Sequence, residues 1–148
     1  MKKFIATCII GIGMFGSLAS ADNTLSVGIG VNTVHPFDDV EYNNDNQLLT
    51  VSYGSDKIGG FVGTMKNSYY HRSNLAGMYL RKSFRSDIFV TLIMGGVTGY
   101  TKEQMPPCWP HPVCVYAAPS IGIALTDTIS YEVLVFGEAI VQAVSINF

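Results

Sequence analysis

The stretch Leu25-Ser26-Val27-Gly28-Ile29-Gly30-Val31-Asn32 alternates, residue by residue, between apolar side chains and serine, glycine or asparagine. Successive side chains of a strand point to opposite faces, so this period of two makes a ribbon with one greasy face and one face of small residues. The same pattern returns in Ser120–Thr126, where Ile121, Ile123 and Leu125 alternate with Ser120, Gly122, Ala124 and Thr126. It closes the chain as well. Ile140, Val144, Ile146 and Phe148 share one face, Ala143, Ser145 and Asn147 take the other, and Gln142 is the polar intruder among the apolar set.

Working outward from these segments, the alternation and the turn residues predict eight strands, at about 24–35, 47–54, 58–66, 74–84, 87–99, 114–126, 130–136 and 139–148. No apolar stripe of helical period runs longer than two turns in this part of the chain. The connections alternate in length. Gly54-Ser55-Asp56-Lys57, Arg85-Ser86-Asp87 and Asp127-Thr128-Ile129 are tight, whereas His35–Asn46, Asn67–Ser73 and Thr101–Val113 are longer. Gly137-Glu138 is short and breaks the trend. Turns at one end and longer loops at the other are the signature of an all-β, eight-stranded antiparallel transmembrane β-barrel. Such a closed sheet pairs every backbone group without leaving an edge in lipid.

A soluble lipocalin-like barrel or β-sandwich would also alternate, but its apolar set would face inward and charge would cover its outside. Here Lys57, Arg81, Lys82, Arg85, Asp87 and Asp127 lie at or near turns. The face opposite the apolar one is rich in glycine, serine and alanine, too small to fill a soluble core. The terminal Phe148, preceded by alternating apolar residues, resembles the assembly signal of bacterial outer-membrane proteins.

The first segment has another meaning. Lys2-Lys3, the apolar run Phe4–Leu18 and Ala19-Ser20-Ala21 form a secretory signal peptide, with cleavage expected after Ala21. The run is shorter than the ~20 residues that cross a bilayer as a helix. Residues 1–21 are therefore read as leader and 22–148 as the barrel, in the outer membrane of a Gram-negative bacterium or encoded by a phage of such a host. The whole chain has 148 residues and a formal net charge of −2, and loss of Lys2 and Lys3 makes it more acidic. This balance argues against a nucleic-acid partner. A monomer is expected, with membrane lipids as its partners and neither cofactor nor metal.

Cys8 leaves with the leader, so Cys108 and Cys114 remain, in an exported loop where a disulfide is favoured. Two free thiols or a metal clip are the alternatives, and this spacing without a second pair is poor for zinc. The loop Pro106-Pro107-Cys108-Trp109-Pro110-His111-Pro112 cannot extend the sheet, because its prolines lack donors. It is read as a rigid surface loop, or as a gate beside the mouth with Trp109 as an aromatic contact.

His35, His71 and His111 all fall on the long-loop side, as does Lys66-Asn67-Ser68-Tyr69-Tyr70. Serine near histidine is raw material for acyl transfer, because a neutral imidazole can take the hydroxyl proton. Solvated rim residues are the plainer reading, and nothing in the spacing binds the three histidines into a metal site.

Several short pieces, in order, resemble the lipid A palmitoyltransferase (PagP) family of outer-membrane barrels. Met65-Lys66-Asn67-Ser68-Tyr69 is similar to that family's Phe-Lys-Asp-Ser-Trp. Leu75-Ala76-Gly77 stands where the family has Ile-Ala-Gly, and Gly95-Gly96-Val97-Thr98 resembles its Ala-Gly-Val-Thr. The proline-rich segment Pro106–Pro119 ends in Ala118-Pro119-Ser120, and His35 precedes Glu41-Tyr42-Asn43-Asn44, similar to a catalytic histidine followed by Arg-Tyr-Asn-Glu. The resemblance implies transfer of an acyl chain from phospholipid to lipid A. It implies His35 as base, Ser68 as the polarising or attacking hydroxyl, and Asn67, in place of the family's aspartate, as the orienting group. Asn67 lacks the charge to stabilise an imidazolium, which Asp38 or Asp39 would have to supply. The prolines would weaken pairing between strands five and six and open a lateral route for lipid. The family's helix before the first strand is missing here.

Two other readings stand beside this one. His71-Arg72-Ser73-Asn74 resembles the His-x-Ser-Asn motif of outer-membrane lipid A deacylases, but Arg85 stands where that motif's later glutamate belongs. The other is a non-catalytic outer-membrane barrel that alters the cell surface or blocks a receptor.

Overall fold

The computed structural model describes residues 23–36, 41–105, 108 and 112–148. Residues 1–21, read above as a leader, and Asp38, Asp39, Trp109 and His111 lie outside them. The described residues are all-β, with eight strands: β1 Thr24–Val34, β2 Leu49–Gly54, β3 Ile58–Lys66, β4 Arg72–Ser83, β5 Ile88–Thr98, β6 Val113–Ala124, β7 Ile129–Phe136 and β8 Ala139–Asn147. Each pairs antiparallel with the next, and β1 pairs with β8, from Ser26 opposite Asn147 to Val34 opposite Ile140, so the sheet closes into a barrel. Phe148 extends that seam by donating its N–H to the Leu25 carbonyl at 2.8 Å.

The alternation sorts the faces as expected along most strands. Leu25, Ile29, Leu49, Val51, Val62, Leu80, Ile121 and Ile146 are exposed on the outside. Gln142, the polar intruder there, is met by a neighbour on the adjoining strand: the Tyr131 hydroxyl donates to its Oε1 at 2.7 Å. Ala118, Ser120, Ser130, Ala139 and Ala143 are buried. Glycine on the inner face makes room for larger neighbours. A Cβ on Gly122 would collide with the ring of Phe89.

β1 departs from the simple alternation. Its register against β8 shifts between Gly30 and Asn32, leaving Val31 as an extra residue, a β-bulge. Asn32, expected on the small-residue face with Ser26, Gly28 and Gly30, is therefore turned outward, and Thr33 is buried, 3% exposed. One extra residue reverses which face each later side chain takes. This parity change puts His35, two residues beyond Thr33, on the side of the barrel mouth.

Arg81 is likewise no simple turn residue. It reaches Glu132 at 3.5 Å, donates from Nε to Thr91 Oγ1 at 3.2 Å and lies 4.1 Å from the Phe89 ring centroid. Ser120 Oγ donates to Glu132 Oε1 and lies 3.3 Å from the Thr91 carbonyl oxygen. Four inner-face residues from four strands thus form one polar crosspiece through the lumen. Toward the long loops the interior is apolar, with Leu75, Val97, Tyr100, Cys108 and Cys114 as its buried centre and Phe61, Tyr116 and Phe136 packed around them. Cys108 and Cys114 are joined by the expected disulfide.

The weak seam is not where the sequence placed it. β5 and β6 are paired along their whole length, from Ile88–Ile123 to Thr98–Val113. β6 and β7 are paired only from Ala124–Ser130 to Ser120–Leu134. Pro119, with no N–H to give to any ladder, stands directly beyond the last rung. Above it Val115, Tyr116 and Ala117 on one strand and Val135 and Phe136 on the other have no partner across the seam.

Candidate functional site

The site stands at the long-loop end and is assembled by asparagine side chains. Asn67 makes the β3–β4 turn. Its Oδ1 accepts from the N–H groups of Tyr69 and His71, both at 3.0 Å, an Asx-type turn in which the side chain replaces a backbone acceptor. Its Nδ2 donates to Ser73 Oγ at 3.1 Å and to the Gly99 carbonyl at 2.8 Å. Asn67 is 2% exposed and Ser73 fully buried. The turn brings Tyr70 to a φ of 65°, the left-handed region, and presents Ser68 over the mouth.

The β1–β2 segment is laced onto that turn. Asn43 donates its N–H to the Ser68 carbonyl at 2.9 Å, and its Nδ2 donates to the carbonyls of Lys66 at 3.2 Å and Asn67 at 3.1 Å. Asn46 Nδ2 donates to Thr33 Oγ1 at 2.7 Å, and its Oδ1 accepts from Leu48 N–H at 2.9 Å. Asn43 and Asn46 are buried, so each lost bond would strand a polar group out of water. Thr33 donates its N–H to the Asn44 carbonyl at 3.0 Å, which sets Asn44 beside the end of β1.

With both pieces fixed, His35 Nε2 lies 2.8 Å from Ser68 Oγ. On the other side of the ring, Nδ1 lies 3.1 Å from Asn44 Oδ1. Tyr42 packs on the imidazole with ring centroids 4.6 Å apart. The aromatic contacts continue from Tyr42 to Tyr69, Tyr100, Phe136 and Tyr116. Burial raises the Tyr100 phenol above its ordinary pKa, with a smaller push from Tyr69, so this hydroxyl stays protonated at neutral pH.

The structure brings His35 and Ser68 together, as the sequence reading expected. It does not bring Asn67 to His35: both ends of the Asn67 amide are occupied by Ser73, Gly99 and the turn. The amide beside His35 Nδ1 is that of Asn44, which nothing in the sequence distinguished from Asn43 or Asn46. His71 is exposed on the turn, and Ser73, the serine of the deacylase-like stretch, is sealed under it by Asn67. No cluster of histidine, cysteine and carboxylate able to hold a metal occurs among the described residues.

Two spaces meet here. A lumenal cavity of about 150 Å³ runs under Ser68, walled by Phe61, Leu75, Tyr116 and Phe136 above and reaching Arg81 and Glu132 below. A crevice of about 530 Å³ runs from His35, Tyr42 and Ser68 to Val115, Tyr116, Ala117 and Phe136, along the unpaired part of the β6–β7 seam. Ser68 therefore borders both the lumenal cavity and the crevice, and His35 borders the crevice.

The Asn67 geometry reverses what charge alone would suggest at that position. Asn67→Asp keeps an acceptor for the turn but faces a carboxylate oxygen against the Gly99 carbonyl. It is expected to destabilise the barrel by about 1–3 kcal/mol. Urea unfolding in detergent checks this, and a variant as stable as wild type would contradict it. Compared with known families and with curated proteins, the chain matches none.

Proposed function

We propose that this protein is an outer-membrane barrel that transfers an acyl chain from a phospholipid to a hydroxyl of lipid A. The observation that carries the reading is the 2.8 Å contact between Ser68 Oγ and His35 Nε2 at the mouth of an apolar cavity. Placement in a membrane is supported by the outward apolar belt, the closed sheet and the signal-like residues 1–21.

In the proposed reaction the donor's acyl tail enters the cavity by way of the β6–β7 crevice. Ser68 Oγ attacks the ester carbonyl carbon while its proton passes to His35 Nε2. The ester C–O bond breaks, and the departing lysophospholipid oxygen takes that proton back from His35. An acceptor hydroxyl on lipid A then attacks the acyl-serine. It gives its proton to His35, a new ester forms, and Ser68 Oγ leaves and is reprotonated from His35. No cofactor is consumed.

Mass spectrometry of lipid A from cells with and without the protein tests the reading. The expected result is one added acyl chain, and unchanged lipid A would sink it. The Arg81–Glu132 crosspiece suits a second reading, a closed barrel that alters the surface or blocks a receptor, for which lipid A stays unchanged. Fractionation is expected to place the protein in the outer membrane with heat-modifiable gel migration. Recovery as a detergent-free soluble monomer would count against both.

A further inference from the structure

We propose that Asn44 is the residue that positions His35 as a base, by fixing which ring nitrogen carries the proton. The proposal rests on the acyl-transfer reading for its meaning, but its geometry can be tested without turnover. Asn44 Oδ1 lies 3.1 Å from His35 Nδ1, and a carbonyl oxygen can only accept. Nδ1 must then hold the hydrogen. That leaves the lone pair on Nε2, which lies 2.8 Å from Ser68 Oγ, so the serine hydroxyl donates to the ring. With the opposite tautomer, Nε2 would carry a hydrogen and could not take the serine proton. In water the Nε2–H form is the ordinary majority for neutral histidine, so the base needs a partner that overrules it.

The backbone keeps Asn44 in place for this work. Its carbonyl is tied to Thr33 N–H at 3.0 Å, two residues before the histidine, and its neighbour Asn43 is pinned to Ser68 by N–H to carbonyl at 2.9 Å. Tyr42, on the other side of Asn43, covers the imidazole face. Three consecutive residues therefore hold one ring: Tyr42 by its face, Asn43 by tying the loop to Ser68, and Asn44 by its edge. Asn44 itself is exposed, so replacing it removes the ring contact without opening a cavity.

The test is nitrogen-15 NMR of imidazole-labelled protein in detergent micelles, with His35 assigned by loss of its signals in His35→Gln. The wild type is expected to show the neutral ring with hydrogen on Nδ1. Asn44→Leu is expected to shift it to mostly Nε2–H, and Asn44→Asp, which keeps an acceptor, to retain Nδ1–H. A wild-type ring with hydrogen on Nε2, or an unchanged tautomer in Asn44→Leu, would overturn the proposal. In lipid A acylation, Asn44→Leu is expected to lower kcat by about 10–100-fold, part of the 10²–10⁴ a positioned general base supplies. KM is expected to stay near wild type, with Asn44→Asp restoring the rate. A wild type that leaves lipid A unchanged removes the acyl-transfer reading. The tautomer result decides the role of Asn44 separately.

Discussion

Ser68→Ala is expected to lower acyl transfer by about 10⁴-fold or more, the scale seen when the nucleophile of a serine–histidine pair is removed. No substitute is at hand: the hydroxyl at 2.8 Å from His35 Nε2 belongs to Ser68, and Ser73 is fully buried against Asn67. His35→Ala should cost a similar factor, because Ser68 then loses the group that takes its proton. The two losses should not add, since both residues serve one proton transfer. Neither change should disturb assembly. His35 lies just beyond β1 and Ser68 on the β3–β4 turn, and neither contributes a rung to the sheet. Lipid A mass spectrometry beside heat-modifiability gels reads both effects in the same cells. Undiminished acylation by Ser68→Ala would remove the mechanism.

The second large effect concerns stability. Glu132→Ala is expected to cost about 3 kcal/mol, because it leaves Arg81 inside the barrel without its counter-charge. The bare Arg81 would keep its bond to Thr91 Oγ1 and its positions over Phe89 and Tyr79, and Ser120 would be left with the Thr91 carbonyl as its acceptor. Replacing both partners, Arg81→Met with Glu132→Leu, should be near neutral, because it removes the desolvation penalty together with the attraction. Urea unfolding of the three variants in detergent measures this. A double variant as unstable as Glu132→Ala would mean that the crosspiece contributes far more than an ion pair of this kind.

Proline, small residues and polar turns told different amounts. The eight strands were legible because sheet burial is local in sequence: a period of two survives whatever the strand's neighbours are. The observed ends fall within about two residues of the expected ones for each strand. The disulfide was legible from Cys108 and Cys114 once residues 1–21 were read as a leader. The resemblance pointed to a weak seam between strands five and six beside the loop prolines, whereas it is the β6–β7 ladder that stops at Pro119. Its N–H is missing from the strand itself, and only the register with β5 and β7 decides which seam opens.

The sequence by itself determined an all-β chain with its long connections gathered at one end, and so set His35 and Ser68 at the same rim. That follows from alternation and an even strand number, properties each segment carries alone. Tertiary structure decided everything that depends on one extra residue or on contact across the ring of strands. The bulge at Val31 reverses the parity of β1 and brings His35 over the mouth. The choice between Asn44 and Asn67 turned on where each amide finds its partners. Asn67 is used up by its own turn, by Ser73 and by Gly99, while Asn44 is carried to His35 by the bond from Thr33. Arg81 and Glu132 meet only because β4 and β7 face one another across a closed lumen. A hydrogen bond selects its partner by distance in space, and closing the barrel is what sets that distance.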